Sequence, residues 1–483
     1  MDAIVSQVPW APLLIVLPLA AAIASFLLPS FARTLGLSLS LAYALAVIGL
    51  GWQLVDRGST RYPVGGWGAP LGIDLYADGL SLLMLGTTAV VGAGITLYAS
   101  AYFKGAYAAR FWPQWHFLLT ALSALFLSGD LFNIYVSLEL IGLPAVALTA
   151  LQGDREALTG AMRYLLAALL GSLVYLSGVA LLYHSYGTVD IALLSERVAS
   201  SPVTWAAFGL LIAGLMLKTA LFPLHFWLPP AHASAPAPVS ALLSALVVKA
   251  SLYVIVRLWL EMISGISGGL AVVFGVLGAG AILWGSAQAL RQERLKLLIA
   301  YSTVAQIGYM FLAFPLAAAA GVTAWNALAC LILSHALAKA AMFLAAGNLM
   351  KVGGHDRIAD LDRVVQRLPL SVGAFALAGV SIMGLPPSGG FIGKWLLLQA
   401  AVSQALWAYV VVIIIGGVLA AGYVFKVLGH AFTRGEEPGE VATVPATMEW
   451  AAMLLASGAI LMGFLALPLL ELVGTGHLFK GGG

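Results

Sequence analysis

Residues 211–257 read LIAGLMLKTALFPLHFWLPPAHASAPAPVSALLSALVVKASLYVIVR, two long apolar runs with one lysine inside each and a proline-rich stretch between them. Lys218 and Lys249 lie at membrane depth, where a charged side chain is costly and rare and marks a functional site by default. Pro223, Pro229, Pro230, Pro236 and Pro238 separate the two lysines. Proline removes a backbone donor and clashes with the preceding turn, so the helix entering at Leu211 is expected to break before Val239. A charge beside a broken membrane helix is a pattern of ion-coupled transport.

The rest of the chain supplies the setting for that stretch. Of its 483 residues 61% are hydrophobic and only 9% charged, against about 25% charged in soluble domains. The fold class is therefore an all-α polytopic membrane protein, with the lipid bilayer as its surroundings. A net charge of +3 gives no sign of a nucleic-acid partner. The single cysteine, Cys330, excludes an internal disulfide and a CxxC site. No Lys or Arg precedes the first apolar run, which argues against a cleaved signal peptide. The chain contains no GxGxxG opening a helix, no GxxxxGK[ST], no HExxH and no EF-hand loop. No cofactor and no resident metal are expected, and the chain is not read as an enzyme on its own.

Spans need about 20 apolar residues. Fourteen runs qualify: 9–29, 32–53, 75–98, 113–128, 131–151, 158–184, 204–226, 239–260, 266–289, 296–316, 322–346, 370–402, 405–430 and 447–474. Connectors after odd-numbered spans and their flanks carry fourteen Lys and Arg; those after even-numbered spans and the tail carry four, and five lie within spans. The basic side is cytoplasmic by the positive-inside rule, so both termini are expected on the outer side of a plasma membrane. Residues 57–78 read as a small hairpin, 187–199 as a short interfacial helix, and 353–368 as an amphipathic helix on the cytoplasmic surface.

Six ionisable residues fall inside five spans: Glu139, Lys218, Lys249, His335, Lys339 and Lys394. Together they fit a polar, hydrated axis; singly, each could be a structural tether with a snorkelling head. Glu139 lies nine residues past Asp130, roughly 13 Å along a helix, and a deep carboxylate there calls for a cation. Lys218 is the natural partner, in a pair that either exchanges a proton as the local field changes or stands as a static ion pair. His225 and His232, with Ser234 beside them, are candidate relay groups, since neutral imidazole both donates and accepts. Metal binding by the two histidines is the rival, and a poor one without a third ligand nearby. Lys218 and His225 share a face only if the helix continues through Pro223. His335 and Lys339 are an i,i+4 pair on one face; a core histidine satisfied by a backbone carbonyl is the alternative. Lys394 follows GLPPSGGF at 384–391, which predicts an unwound break in span twelve, tolerated at depth only where it lines a cavity or is buried in protein. Breaks in spans seven and twelve point to an inverted-repeat transporter.

Several motifs make the resemblance specific: GIDLYADGLS at 72–81, LFNIYVSLEL at 131–140, the block from Leu217 to Tyr253, YSTVAQIGYM at 301–310, SHALAKAAMF at 334–343 and GLPPSGGFIGKW at 384–395. The chain resembles the proton-translocating antiporter-like subunits shared by Mrp-type sodium/proton antiporters, respiratory complex I and membrane-bound hydrogenases. Its wording is most similar to the D-type Mrp subunit. The resemblance implies fourteen helices with two inverted five-helix repeats. It divides the chain into 1–112 (helices one to three), 113–262 (first repeat, spans four to eight), 263–432 (second repeat, spans nine to thirteen) and 433–483 (last helix and tail). It implies proton transfer through Glu139, Lys218, Lys249, His335, Lys339 and Lys394, coupled to Na+ or another monovalent cation, in a complex with other membrane subunits. Two rivals stand beside it: a redox-driven pump module of complex I or a hydrogenase, and, from another class, a solute permease or passive scaffold.

Overall fold

Short polar side chains open many of the helices. In a computed structural model, which describes residues 8–264, 268–361, 364–433 and 443–475, Asp78 accepts from Ser81 N, Asp130 from Asn133 N, Asp154 from Ala157 N and Ser388 from Phe391 N. Each satisfies a backbone donor that the first turn leaves open. The helices in chain order are α1 (Trp10–Leu27), α2 (Ala32–Arg57), α3 (Gly79–Tyr102), α4 (Gly105–Phe126), α5 (Leu131–Thr149), α6 (Arg155–Tyr186), α7 (Ile191–Arg197), α8 (Pro202–Thr219) and α9 (Leu228–Ser234). They continue as α10 (Ala237–Ile263), α11 (Gly268–Arg291), α12 (Leu295–Ala320), α13 (Val322–Gly353), α14 (Val364–Arg367), α15 (Pro369–Met383), α16 (Gly389–Ser403), α17 (Trp407–Ala431), α18 (Ala446–Leu461) and α19 (Ala466–Val473). Strands β1 (Thr60–Pro63) and β2 (Asp74–Ala77) pair antiparallel, which is the expected hairpin, and α7 is the expected short helix.

Among the described residues eleven helices are long and apolar enough to cross a membrane, twelve if the bent pair α18–α19 counts as one span. The expected fourteen is not reached, for two reasons. Helix α4 is diluted by Arg110, Gln114 and His116. Span twelve is cut into α15 and α16, of 15 residues each, so neither half crosses alone. The stretch 353–368 is also not one amphipathic helix. Gly354, with φ +72°, ends α13, Arg357 pairs with Arg294 in an isolated bridge, and only a turn at Ile358–Asp360 and the short α14 are helical. The chain termini lie outside the described residues.

Burial is uneven, and that unevenness positions the polar residues. Helices α10 and α13 are buried along whole eighteen-residue windows, whereas α1 and α17 are only one-third buried. Helix α13 packs against α3, α10, α12, α15, α16 and α18. The outer helices turn Ile23, Trp52, Leu166, Leu173, Val276 and Val418 outward, an apolar exterior suited to lipid. The interruptions are only partly covered: Ser388 to Gly390 are buried, but Leu385 to Pro387 are exposed, as are Pro223 and Phe226 at the break after α8. The turn after Met383 needs Gly384 at φ +82°, a conformation glycine adopts without steric cost. The α18–α19 bend of 81° seats Gly463 so close to the Pro387 carbonyl that a Cβ there would collide with it.

A buried ion pair ties the first third of the chain to α10. Arg257 donates to both carboxylate oxygens of Asp78 at 2.6 and 2.8 Å, and also to Ser81 Oγ and Tyr253 Oη. Burial pushes the Asp78 carboxyl up, but the guanidinium and the Ser81 bonds outweigh it and hold it below its ordinary value. A depressed folded-state pKa gives stability that is present above the unfolded value of about 3.9 and is lost as pH falls through the folded value. Thermal unfolding of the detergent-purified protein should therefore shift downward below about pH 4 in the wild type, and less so in Asp78→Asn. Arg257→Met should cost about 3–5 kcal/mol, because it strands a buried carboxylate; an unchanged melting temperature would show that the pair is not a tether.

Candidate functional site

The first charged pair forms where α5 meets the end of α8. Lys218 Nζ lies 3.6 Å from Glu139 Oε1, with the lysine side chain 9% and the carboxylate 27% exposed. Gly171 on α6 makes room for the lysine stem, since a Cβ there would stand 3.0 Å from Lys218 Cγ. Asp130, at the start of α5, has its carboxyl pushed up by burial, and Asp190 nearby adds to the effect. Beside Lys218 is a cavity of about 20 Å³ lined by Tyr164, Trp227 and Ser251 among others, the size of a single water site. Thr219 Oγ1 donates to Ser251 Oγ at 2.9 Å. The cavity thus joins Lys218 to Ser251, two residues beyond Lys249 on α10.

Helix α8 ends at Ala220, in the left-handed region with φ 56°, and the chain resumes helical form at Leu228. Lys218 and His225 therefore share no continuous helix face. His225 is half-buried, stacked on Phe222 and edge-on to Tyr301. His232 is fully buried and stacked on Phe343 at 4.7 Å. Among the described residues neither of its ring nitrogens has a hydrogen-bond partner. Ser234 Oγ donates to Pro230 O and lines a cavity of about 520 Å³ that Arg155, Glu156 and Arg294 also border.

Lys249 follows a π-helical segment at Leu243–Val247, and its ammonium donates to the Ser244 carbonyl. Single π turns often mark functional positions. Ser244 Oγ in turn bonds Thr303 Oγ1 on α12 at 2.9 Å. Lys339 donates to Ile299 O at 3.1 Å and to Ser302 Oγ. Lys394 donates to Ile382 O at 2.7 Å and Met383 O at 3.3 Å, the carbonyl end of α15, and stands 4.2 Å from the centre of the Tyr309 ring. His335 is buried, with both ring nitrogens unpartnered among the described residues.

The two buried histidines link the lysines. His232 lies within electrostatic reach of Lys296, Lys339 and Lys249, and His335 within reach of Lys249, Lys339 and Lys394. The sets share Lys249 and Lys339, so the four lysines and two histidines make one electrostatically linked group. Of these lysines only Lys218 has a carboxylate contact within 4 Å among the described residues. A charge on one member therefore raises the cost of charging its neighbour, which makes the row a coupled system.

Sequence reasoning missed several members. Lys296 reads as a connector residue, yet it is buried and donates to Ala233 O and Ala235 O at the end of α9. Ser302 and Gln306 lie between Lys339 and Lys394: Ser302 Oγ accepts from Lys339, and Gln306 Nε2 donates to Ile382 O, the carbonyl that also accepts from Lys394. Tyr423 Oη is buried and, among the described residues, makes no hydrogen bond. Ser302 and Gln306 belong to the YSTVAQIGYM motif, which was the available signal; Tyr423 had none. Ser302→Ala should destabilise the protein by about 1–3 kcal/mol in thermal unfolding, by leaving a buried ammonium short of an acceptor. No loss would mean that Ser302 is not its ligand.

A family model described as NADH:quinone oxidoreductase/Mrp antiporter, TM, matches residues 128–420, which contain all of the charged row. The chain is 34% identical to the N subunit of the NADH-quinone oxidoreductase of Desulforudis audaxviator, over 93% of this chain and 95% of that one. It is 29% identical to the D-type subunit of the Na(+)/H(+) antiporter of Bacillus subtilis, over 82% and 80%. A chain in the structure of the Mrp complex from Dietzia sp. DQ12-45-1b superposes with a TM-score of 0.90 at 24% identity, covering 97% of both chains, a likeness of fold.

Proposed function

The chain belongs to the NADH:quinone oxidoreductase/Mrp antiporter family of membrane subunits, and on that premise we propose that it is the proton-translocating subunit of a multisubunit Na+/H+ antiporter. The observation that carries the reading is the pair of unpartnered histidines, each among three lysines and sharing two of them. An imidazole with both nitrogens free accepts a proton on one and releases it from the other. Protons enter from the cavity beside Ser234 and Arg294, pass Lys296 and His232 to Lys249 and Lys339, and reach Lys394 by way of His335. Water in the cavity beside Lys218 connects the Glu139–Lys218 pair to the same row.

That pair acts as the switch. While closed, its charges cancel at a distance; opened, the ammonium adds positive potential at Lys249 and drives a proton onward. Two charges about 10 Å apart at an effective dielectric near 20 interact by about 1.7 kcal/mol, enough to change proton occupancy more than tenfold. In this reading the two broken spans belong to repeats 113–262 and 263–432, with 1–112 and 433–483 flanking them. The basic side faces the cytoplasm and the termini face outward. Partner membrane subunits complete the cation path.

A second reading rests on the 34% relative, which is named as a quinone oxidoreductase subunit: the same row would then be driven by a redox module. Purified native complex in proteoliposomes distinguishes the two, by a pH change that follows an imposed Na+ gradient or one that requires electron transfer. In either assay Lys218→Ala and Glu139→Ala should reduce proton movement about tenfold or more. Wild-type rates in both variants would sink the switch. His335→Leu should reduce proton movement while leaving the melting temperature near that of the wild type, because among the described residues the imidazole bonds no protein group.

A further inference from the structure

Two helix starts and two unpaired cations converge on one cavity far from the charged row. The cavity, of about 640 Å³, lies among the turn before α2, the end of α3, the start of α4 and Pro445 ahead of α18. Its polar wall is Ser30, Arg33, Ser100 and Lys104; Phe103 and Trp112 are part of its apolar floor. Neither α2 nor α4 has a side-chain cap at its first turn, so backbone donors and the positive ends of two helix dipoles face the same region. Arg33 and Lys104 are exposed and, among the described residues, form no ion pair.

We propose that this cavity binds the phosphate of an anionic phospholipid. Its headgroup would lie between Arg33 and Lys104 and its glycerol and first methylenes over Phe103 and Trp112. Three features favour a lipid over a soluble anion. The cavity stands at the ends of apolar helices, where headgroups lie. It opens on the side carrying most of the connector lysines and arginines, which is where anionic lipid is attracted. Its floor is apolar, as an acyl-linked ligand requires and inorganic phosphate does not. The inference is independent of the proton pathway, since none of these residues belongs to the row.

The test uses the intact complex in nanodiscs, with phosphatidylglycerol titrated into phosphatidylcholine and bound lipid counted by native mass spectrometry. Wild type should retain one more phosphatidylglycerol per chain than Arg33→Gln/Lys104→Gln, whose affinity should fall about thirtyfold, the combined worth of two interfacial cations. Arg33→Lys/Lys104→Arg should restore retention, which separates charge from folding. Equal retention by wild type and the glutamine variant would overturn the proposal. Displacement of the lipid by inorganic phosphate alone would assign the site to a soluble anion and overturn it as well.

Discussion

Each buried lysine of the row beyond Lys218 is solvated by main-chain carbonyls, and the backbone is shaped to supply them. An ammonium removed from water needs acceptors or its cost is prohibitive. A regular helix offers few, because its carbonyls are engaged four residues on. Lys249 takes Ser244 O at a π segment. Lys394 takes Ile382 O and Met383 O where α15 stops, and Lys296 takes Ala233 O and Ala235 O where α9 stops. Lys339 takes Ile299 O, a carbonyl that also accepts from Ser302 and Thr303. For Lys249, Lys296 and Lys394 the interruptions and the charges are thus two sides of one requirement. Neutral carbonyl ligands stabilise a cation without fixing it as a carboxylate would, which is what a site that must release its proton needs.

Glu139–Lys218 is the exception that gives the row a distinct end. Its partners are separated by 3.6 Å rather than held in a close hydrogen bond, and the carboxylate is 27% exposed. The buried Asp78–Arg257 pair, at 2.6 and 2.8 Å and further held by Ser81 and Tyr253, shows what a tether looks like in the same protein. The two pairs use similar chemistry with opposite geometry.

How far the fold was legible follows from what costs most. Charges in apolar runs and prolines inside spans stand out of the sequence, so Lys218, Lys249, Lys339, Lys394 and both breaks were readable. The hairpin at 60–77 was readable from its glycines and alternation. The carbonyl ligands were not, because backbone atoms leave no mark in a sequence. Tyr423 and Gln306 were hidden because a tyrosine or glutamine in a long helix is unremarkable until its neighbours are known. Arg257 lies within the apolar run 239–260 and is legible as an intramembrane charge, but its partner lies 179 positions away. The stretch 353–368 alternates charge at helical spacing, but Gly353 and Gly354 end α13, and only short helical turns follow among the described residues.

Helix α13 is enclosed by protein along an entire eighteen-residue window, and it carries both His335 and Lys339. Close-packed interiors leave a helix no neighbouring volume to move into. The middle of the row is therefore a fixed spine. Whatever passes along it travels as a rearrangement of protons, waters and rotamers around a stationary rod, and the parts free to swing are at its two ends.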